Sequence, residues 1–402
     1  MKLFFIFIFF FTGQLFAQNI TKGYWSAQLQ LNDNDILPFK LKVEKNNRIT
    51  LINAEESIQL DSVYVLQDSL HVRFPFFNSE LIFVATKKEL KGYWVNYQKG
   101  PDYKIPFSAE KIKKKDPRFL KTKKQKEYIQ VGAKWEVKFE PGTEGEYSAI
   151  GLFSQEKNTV KGTFLTEAGD YRFLEGNIIK DSLYLSCFDG SHAFLFKALY
   201  RNDSLIGTFN SGTHWESKWN AVINTKFELT DPEKITYVID NKPIHFALPN
   251  LEKDTLHYPN KEFDNKVVII QIMGTWCPNC LDETMLFKEV YTKYHSQGLE
   301  IISICYEVGS SLDDYIKNVN LLKNKLDLEY TFLIGGNAKK KLAKAQFSML
   351  NNISSFPTTI IIGRDGEVKQ IHTGFNGPGT GEYYITYKKR LNTLIQSLLN
   401  IH

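Results

Sequence analysis

From about Thr21 to Asn224, apolar and polar positions alternate with the two-residue period of half-buried strands, and the runs stop at turn residues. Asp68-Ser69-Leu70-His71-Val72-Arg73-Phe74 and Asp181-Ser182-Leu183-Tyr184-Leu185-Ser186 are typical. Past about Thr230 the grammar changes. Strand-like runs over 267–273, 300–305, 330–334 and 358–362 now alternate with stretches of helical period. Over 278–295, Leu281, Met285, Leu286 and Val290 mark one helical face, and Gly298 ends it. Ser311-Leu312-Asp313-Asp314 has the form of a capping box, Arg364-Asp365-Gly366-Glu367 that of a hairpin turn, and a last helix is predicted over 382–399. Strands alternating with helices predict a three-layer α/β domain around a largely parallel sheet.

The β-rich part contains an internal echo. Asp68-Ser69-Leu70 recurs as Asp181-Ser182-Leu183, and the same shift carries Leu81 and Phe83 onto Phe194 and Phe196. Leu90-Lys91-Gly92-Tyr93-Trp94 resembles Leu205-Ile206-Gly207-Thr208-Phe209, and Gly23-Tyr24-Trp25 resembles Gly132-Ala133-Lys134-Trp135. Two related modules follow, each an antiparallel barrel or sandwich, over 18–110 and 130–226. Between them, 111–129 carries nine basic residues in the sixteen positions from Lys111 to Lys126, with Pro117 as a break. It reads as a solvated linker; a polyanion or anionic-lipid site is the alternative. The α/β domain takes 227–402.

Composition narrows the class. With 402 residues, 43% apolar and 24% charged, the chain is a multidomain globular protein. A net charge of +5 is too mild to argue for nucleic acid. Lys2, the apolar run 3–11 and Ala17 form a secretory signal cleaved after Ala17. That run is about half of the ~20 residues a membrane span needs. The expectation is therefore an exported protein of the periplasm, with no anchor in the mature chain.

Four cysteines are present, and only Cys277 and Cys280 are close in sequence. They stand where a continuous apolar strand runs through Gly274-Thr275-Trp276 into a helix. At a helix start, unpaired N–H groups and the positive end of the dipole stabilise a thiolate at Cys277. Pro278 suits the first turn because it needs no N–H there. Cys280, nearly one turn on, returns beneath the first sulfur, so the pair can close into a small disulfide. Cys277 would attack a substrate disulfide and Cys280 would resolve the mixed one. Zinc would need two more ligands at paired spacing, so no metal and no cofactor are expected. A thiol peroxidase would want a Thr three residues before the attacking Cys, whereas Thr275 is two before it.

These residues resemble a known family. Phe246-Ala247-Leu248-Pro249-Asn250-Leu251, Lys266-Val267-Val268, Gly274-Thr275-Trp276-Cys277-Pro278-Asn279-Cys280 and Ser355-Phe356-Pro357-Thr358-Thr359 are similar, in order, to the TlpA/ResA-type exported thiol–disulfide oxidoreductases of the thioredoxin-like superfamily. The resemblance covers about 240–400. It implies a cis bond before Pro357, with Phe356 offering its backbone to substrate, and Trp276 and Pro278 helping to shape the groove. It implies a catalytic role for Glu283, as proton acceptor for Cys280 or as a negative charge that raises the thiols. It further implies exported protein substrates with disulfides, a membrane-bound thiol electron donor, and service in cytochrome c maturation. One departure is Gln271, which stands where thioredoxin proper carries a buried acid; Glu283 must then work alone. The β modules lie outside the family core; a ligand- or partner-binding protein with an accessory redox head is one alternative function, and a thiol peroxidase is another.

Other residues invite simpler readings. Cys187 and Cys305 read as small core residues. Asp189-Gly190-Ser191-His192 is first a hairpin signal, not a hydrolytic triad. The glycine-rich 374–381 lacks the Gly-Lys-Ser/Thr ending that would hold phosphate and reads as a loop before the last helix, near the active site.

Overall fold

The structure, a computed structural model, describes residues 20–100, 102–119, 127–240 and 242–400. The expected secretory signal and residues 120–126 of the basic stretch lie outside the described residues. The two β modules share one topology. In each, the first strand (Gly23–Gln30; Lys134–Phe139) pairs with the second (Ile36–Val43; Tyr147–Glu156) and with the last (Lys104–Ile112; Trp215–Ile223). The echoed segments fall on matching strands: Ser69–Arg73 with Ser182–Phe188, Ser79–Ala85 with Ala193–Arg201, and Glu89–Asn96 with Ser204–Ser211. The buried Trp25 and Trp135 each donate from the indole to the carbonyl four residues earlier, Thr21 and Val131, both at 2.9 Å.

Closure distinguishes the copies. In the second, Thr159–Thr166 pairs with both Tyr147–Glu156 and Leu174–Ile179, which completes a closed barrel of eight strands. Its interior is filled with rings, among them Phe139, Phe164, Phe196, Phe209 and Trp219, with Phe196 and Phe209 stacked at 4.4 Å. The first module is a half-barrel whose sheet ends at Glu56–Gln59 and Val63–Leu66. The second module plugs it. Phe188 packs on Phe39 at 4.6 Å, Trp94 at 5.0 Å and Phe74 at 5.4 Å, and Ala193 and Leu195 join the same core.

The basic stretch is a solvated spacer only in part. The last strand of the half-barrel runs to Ile112, and Arg118 is buried at the seam between the modules. Its guanidinium donates to Asn53 Oδ1 and Ser186 Oγ (both 2.8 Å) and to the carbonyls of Ile52 and Pro38 (3.1 and 3.2 Å), and it pairs with Glu175 at 3.4 Å. A guanidinium carries five donors, so one side chain can staple several loops at once. The carbonyls that receive it come from strands more than sixty residues away, and no local pattern reports them.

The carboxy-terminal domain has the thioredoxin-like arrangement. Its elements are β1 (Val267–Met273), α1 (Pro278–Tyr294), β2 (Leu299–Glu307), α2 (Leu312–Leu326), β3 (Thr331–Asn337), α3 (Lys340–Gln346), β4 (Thr358–Ile362), β5 (Val368–Thr373) and α4 (Glu382–Leu399). The sheet order is β3-β2-β1-β4-β5. As expected the sheet is largely parallel: β1, β2 and β3 are parallel neighbours, β4 alone is reversed between β1 and β5, and β5 again runs in the direction of β1. The tight Arg364–Glu367 turn makes β4 and β5 antiparallel neighbours, as so short a connection requires. The Ser311 capping box is formed, and Gly298 closes the helix end at a φ of 101°. Met285, read as part of the apolar face of α1, instead points outward. Leu281, Leu286 and Val290 of that face are buried as read, and the buried surface extends through Cys280, Glu283, Thr284, Phe287 and Tyr291, whose polar members a hydrophobicity pattern does not report. Among the described residues, no helix is long and apolar enough to cross a membrane.

Candidate active site

β1 is buried along its whole length and delivers the chain into the loop Gly274-Thr275-Trp276. Two anchors fix that loop. Thr275 donates from its backbone and its hydroxyl to the two Glu307 oxygens at 2.7 and 2.6 Å, and the Trp276 indole donates to the Tyr306 carbonyl at 2.9 Å. Cys277 then caps α1: the Cys280 N–H donates to its sulfur at 3.3 Å. Pro278 occupies the first turn, where its missing N–H costs nothing. The thiol of Cys277 also lies 3.7 Å from the Phe356 carbonyl, across a Phe356–Pro357 bond that is cis. Trp276 meets Phe356 edge-on at 6.1 Å, and Phe356 stacks on Tyr306 at 5.4 Å. The sequence-derived residues Trp276, Cys277, Pro278, Cys280, Phe356 and Pro357 thus converge on one spot.

The two thiols are free and unequal. Cys277 is 9% exposed and Cys280 not at all. Burial, then the neighbouring Cys277 sulfur, pushes the Cys280 thiol well above its ordinary value. Beneath them lies Glu283, fully buried, which accepts from Gln271 Nε2 at 2.9 Å and Thr359 Oγ1 at 2.8 Å. Burial lifts its carboxyl to about 7 against those two hydrogen bonds. Gln271 does not titrate, but it holds the group that does, and Ser303 Oγ fixes the Gln271 carbonyl at 2.8 Å.

Glu307 escaped the sequence reading. It is fully buried at the end of β2, and burial lifts it to about 7 as well. The available signal was its position: a lone acid closing an apolar run at the carboxyl end of a central parallel strand, where sites of open α/β sheets gather. Cys187 and Cys305 are buried in the core, as read. Asp282, one residue before Glu283, does more than serve the helix dipole. It is paired with the buried Arg172 of the barrel, which also donates to Glu56 of the half-barrel at 2.6 Å and faces Asp189 at 3.8 Å. One guanidinium thus gathers carboxylates from all three parts of the chain. Among the described residues, no group of three or more His, Cys, Asp or Glu is arranged to hold a metal ion.

An attacking thiol at a helix mouth, a buried partner one turn on and a carboxyl poised near neutrality are the parts of a dithiol–disulfide exchanger. The Redoxin family model matches residues 239–384. This segment is a redoxin domain. It is similar to the thiol-disulfide oxidoreductase ResA of Geobacillus kaustophilus, 29% identical over 144 residues that make up 35% of this chain and 73% of that protein. ResA of Bacillus thuringiensis subsp. konkukian is 27% identical over 150 residues, 37% and 75% of the two chains. Among solved structures, the thiol:disulfide interchange protein of Chlorobium tepidum TLS covers 40% of this chain and 99% of its own, with 18% identity and a TM-score of 0.31. A thiol-disulfide oxidoreductase from Bacteroides fragilis NCTC 9343 covers 38% and 99%, with 16% identity and a TM-score of 0.29. The match and the likeness to thiol-disulfide oxidoreductases are confined to this carboxy-terminal domain, and the β-rich amino-terminal part of the chain lies outside them.

Proposed function

We propose that the chain is exported and acts as a reductase of disulfides in other exported proteins. The observation that carries the exchange is the placement of Cys277: its sulfur caps α1 and faces the Phe356 carbonyl. In the exchange, the Cys277 thiolate attacks one sulfur of a substrate disulfide, the substrate S–S bond breaks, and the other substrate sulfur leaves as a thiolate. Cys280 then attacks Cys277, releasing the second substrate thiolate and leaving a Cys277–Cys280 disulfide. Two electrons pass to the substrate, whose two sulfurs take up protons. Cys280 must lose its proton in the second step, and Glu283 is the acceptor, with a carboxyl near the operating pH. A membrane-bound thiol donor, which returns two electrons, completes the cycle.

Direction is tested by the reduction potential of the pair. A value near about −270 mV or below supports a reductase, and one near about −120 mV rejects it. Substrates are tested by trapping: Cys280→Ser should accumulate mixed disulfides on Cys277 with exported proteins, and Cys277→Ser should accumulate none.

A further inference from the structure

The barrel does not merely flank the redox pair; one of its hairpins lies over it. The turn after Thr159–Thr166 brings Glu167, Ala168, Gly169 and Asp170 against both walls of the groove around Cys277. On the α1 side, the Asn279 side-chain amide donates to the Asp170 carbonyl at 3.2 Å. On the cis-proline side, Ser355 Oγ donates to the Ala168 carbonyl at 3.0 Å. The Gly377 N–H donates to the Asp170 carboxylate at 2.5 Å and closes the third side. Gly169 passes so close that a Cβ there would lie 2.0 Å from Asn279 Nδ2 and 2.9 Å from the Phe375 carbonyl, and its φ of 136° itself favours glycine. From the next turn of the barrel, Ser191 Oγ donates to the Trp276 carbonyl at 3.1 Å.

These contacts are polar and few, and the hairpin's own ladder is short: Leu165 pairs with Asp170 and Thr166 with Gly169. Glu167 and Ala168 at its tip are exposed, while Cys277 beneath is nearly closed off. The exposed tip, held by hydrogen bonds with little apolar burial, opens at lower cost than the barrel core, while the buried Asp170, whose carboxylate accepts from the Gly377 and Arg172 N–H groups, is its anchored end. Two of its backbone carbonyls also sit on the donors, Asn279 and Ser355, that flank the attacking sulfur. A polypeptide substrate laid along the groove would present backbone carbonyls to those same donors.

We infer that residues 167–170 form a gate that imitates a bound substrate backbone, so that an extended polypeptide must displace it and take over Asn279 and Ser355 before its disulfide reaches Cys277. The inference rests on the oxidoreductase reading, and deepens it by naming an extended chain, bound through its backbone, as the substrate. It is tested on the reduced full-length protein by timing alkylation of Cys277, located by peptide mapping, with iodoacetamide and with a bulky polyethylene-glycol maleimide. Gly169→Val pushes the hairpin off Asn279, and Ser355→Ala removes one tie without touching the barrel. Each variant should react with the bulky reagent up to about tenfold faster than the parent, since one hydrogen bond is worth at most about that factor in the closed-to-open ratio. The small reagent should gain less. Equal bulky-reagent rates in parent and Ser355→Ala overturn the gate, whether or not Gly169→Val folds. Insulin reduction is followed in parallel. If the variants alkylate faster but neither they nor the parent reduces insulin, the gate stands and the oxidoreductase reading fails. If the parent reduces insulin and alkylates as fast as the variants, the reverse holds.

Discussion

Gln271 Nε2 donates to Glu283 Oε2 across 2.9 Å, so a residue without an ionisable proton positions the carboxyl that has one. Its second oxygen is held by Thr359 from β4, and the carboxyl cannot turn away from the thiols. Burial leaves it titrating near 7, against about 4.3 for a free glutamate.

That shift has a sign for stability. Between about pH 4.5 and 7 the folded chain keeps a proton on Glu283 that the unfolded chain has lost, so stability falls as pH rises through this window. Glu307 acts in the same sense over the same range. Glu283→Gln should flatten the decline and leave the variant more stable than the parent above pH 7, by on the order of 3 kcal/mol. Urea unfolding at a series of pH values measures it; an unchanged slope rejects the assignment.

The same substitution should slow turnover. With Glu283 unable to take the Cys280 proton, release of substrate from the mixed disulfide should fall by about 10²-fold, and the rise of rate around pH 7 should vanish. Single-turnover reduction of a disulfide peptide followed against pH checks this. A variant that keeps the parent's profile would assign the proton to another group.

Arg172 is surrounded by Glu56, Asp189 and Asp282, each from a different part of the chain. Arg172→Met leaves these acids buried without their cation and should cost about 3–5 kcal/mol. Adding Asp282→Asn should return part of the loss, a coupling visible in a double-mutant cycle. Arg172→Lys should not rescue, because a single ammonium cannot span three carboxylates.

Phe188 fills the mouth of the half-barrel from outside it. Phe188→Ala should cost about 3–5 kcal/mol through the cavity left among Phe39, Phe74 and Trp94. Chemical unfolding reads the loss, and the Cys277–Cys280 potential should stay where it was.

The parts of this architecture that were legible in sequence are those fixed by neighbours in the chain. Strand periodicity, the Ser311 cap, the 364–367 turn and the strand–Cys277–helix junction depend on residues within one turn of each other. The echo between the modules was readable because matching residues do matching work, as the two tryptophans show. What stayed hidden depends on distant partners. Arg118 looked like one more cation in a basic run, and its burial is set by carbonyls of strands that the run does not touch in sequence. Asp282 looked like a dipole acid until Arg172 arrived from 110 positions away. Nothing local reports which ring closes and which stays open, because that depends on whether Thr159–Thr166 finds a second partner.

The unclosed ring carries a consequence for anyone dissecting the protein. Residues 20–112 expressed alone would present an uncovered aromatic cavity and two strands with bare backbone edges, the features that drive sticking and fibre growth. The first module depends on the second for its cover, and the shortest soluble fragment of the β region should be one that retains both.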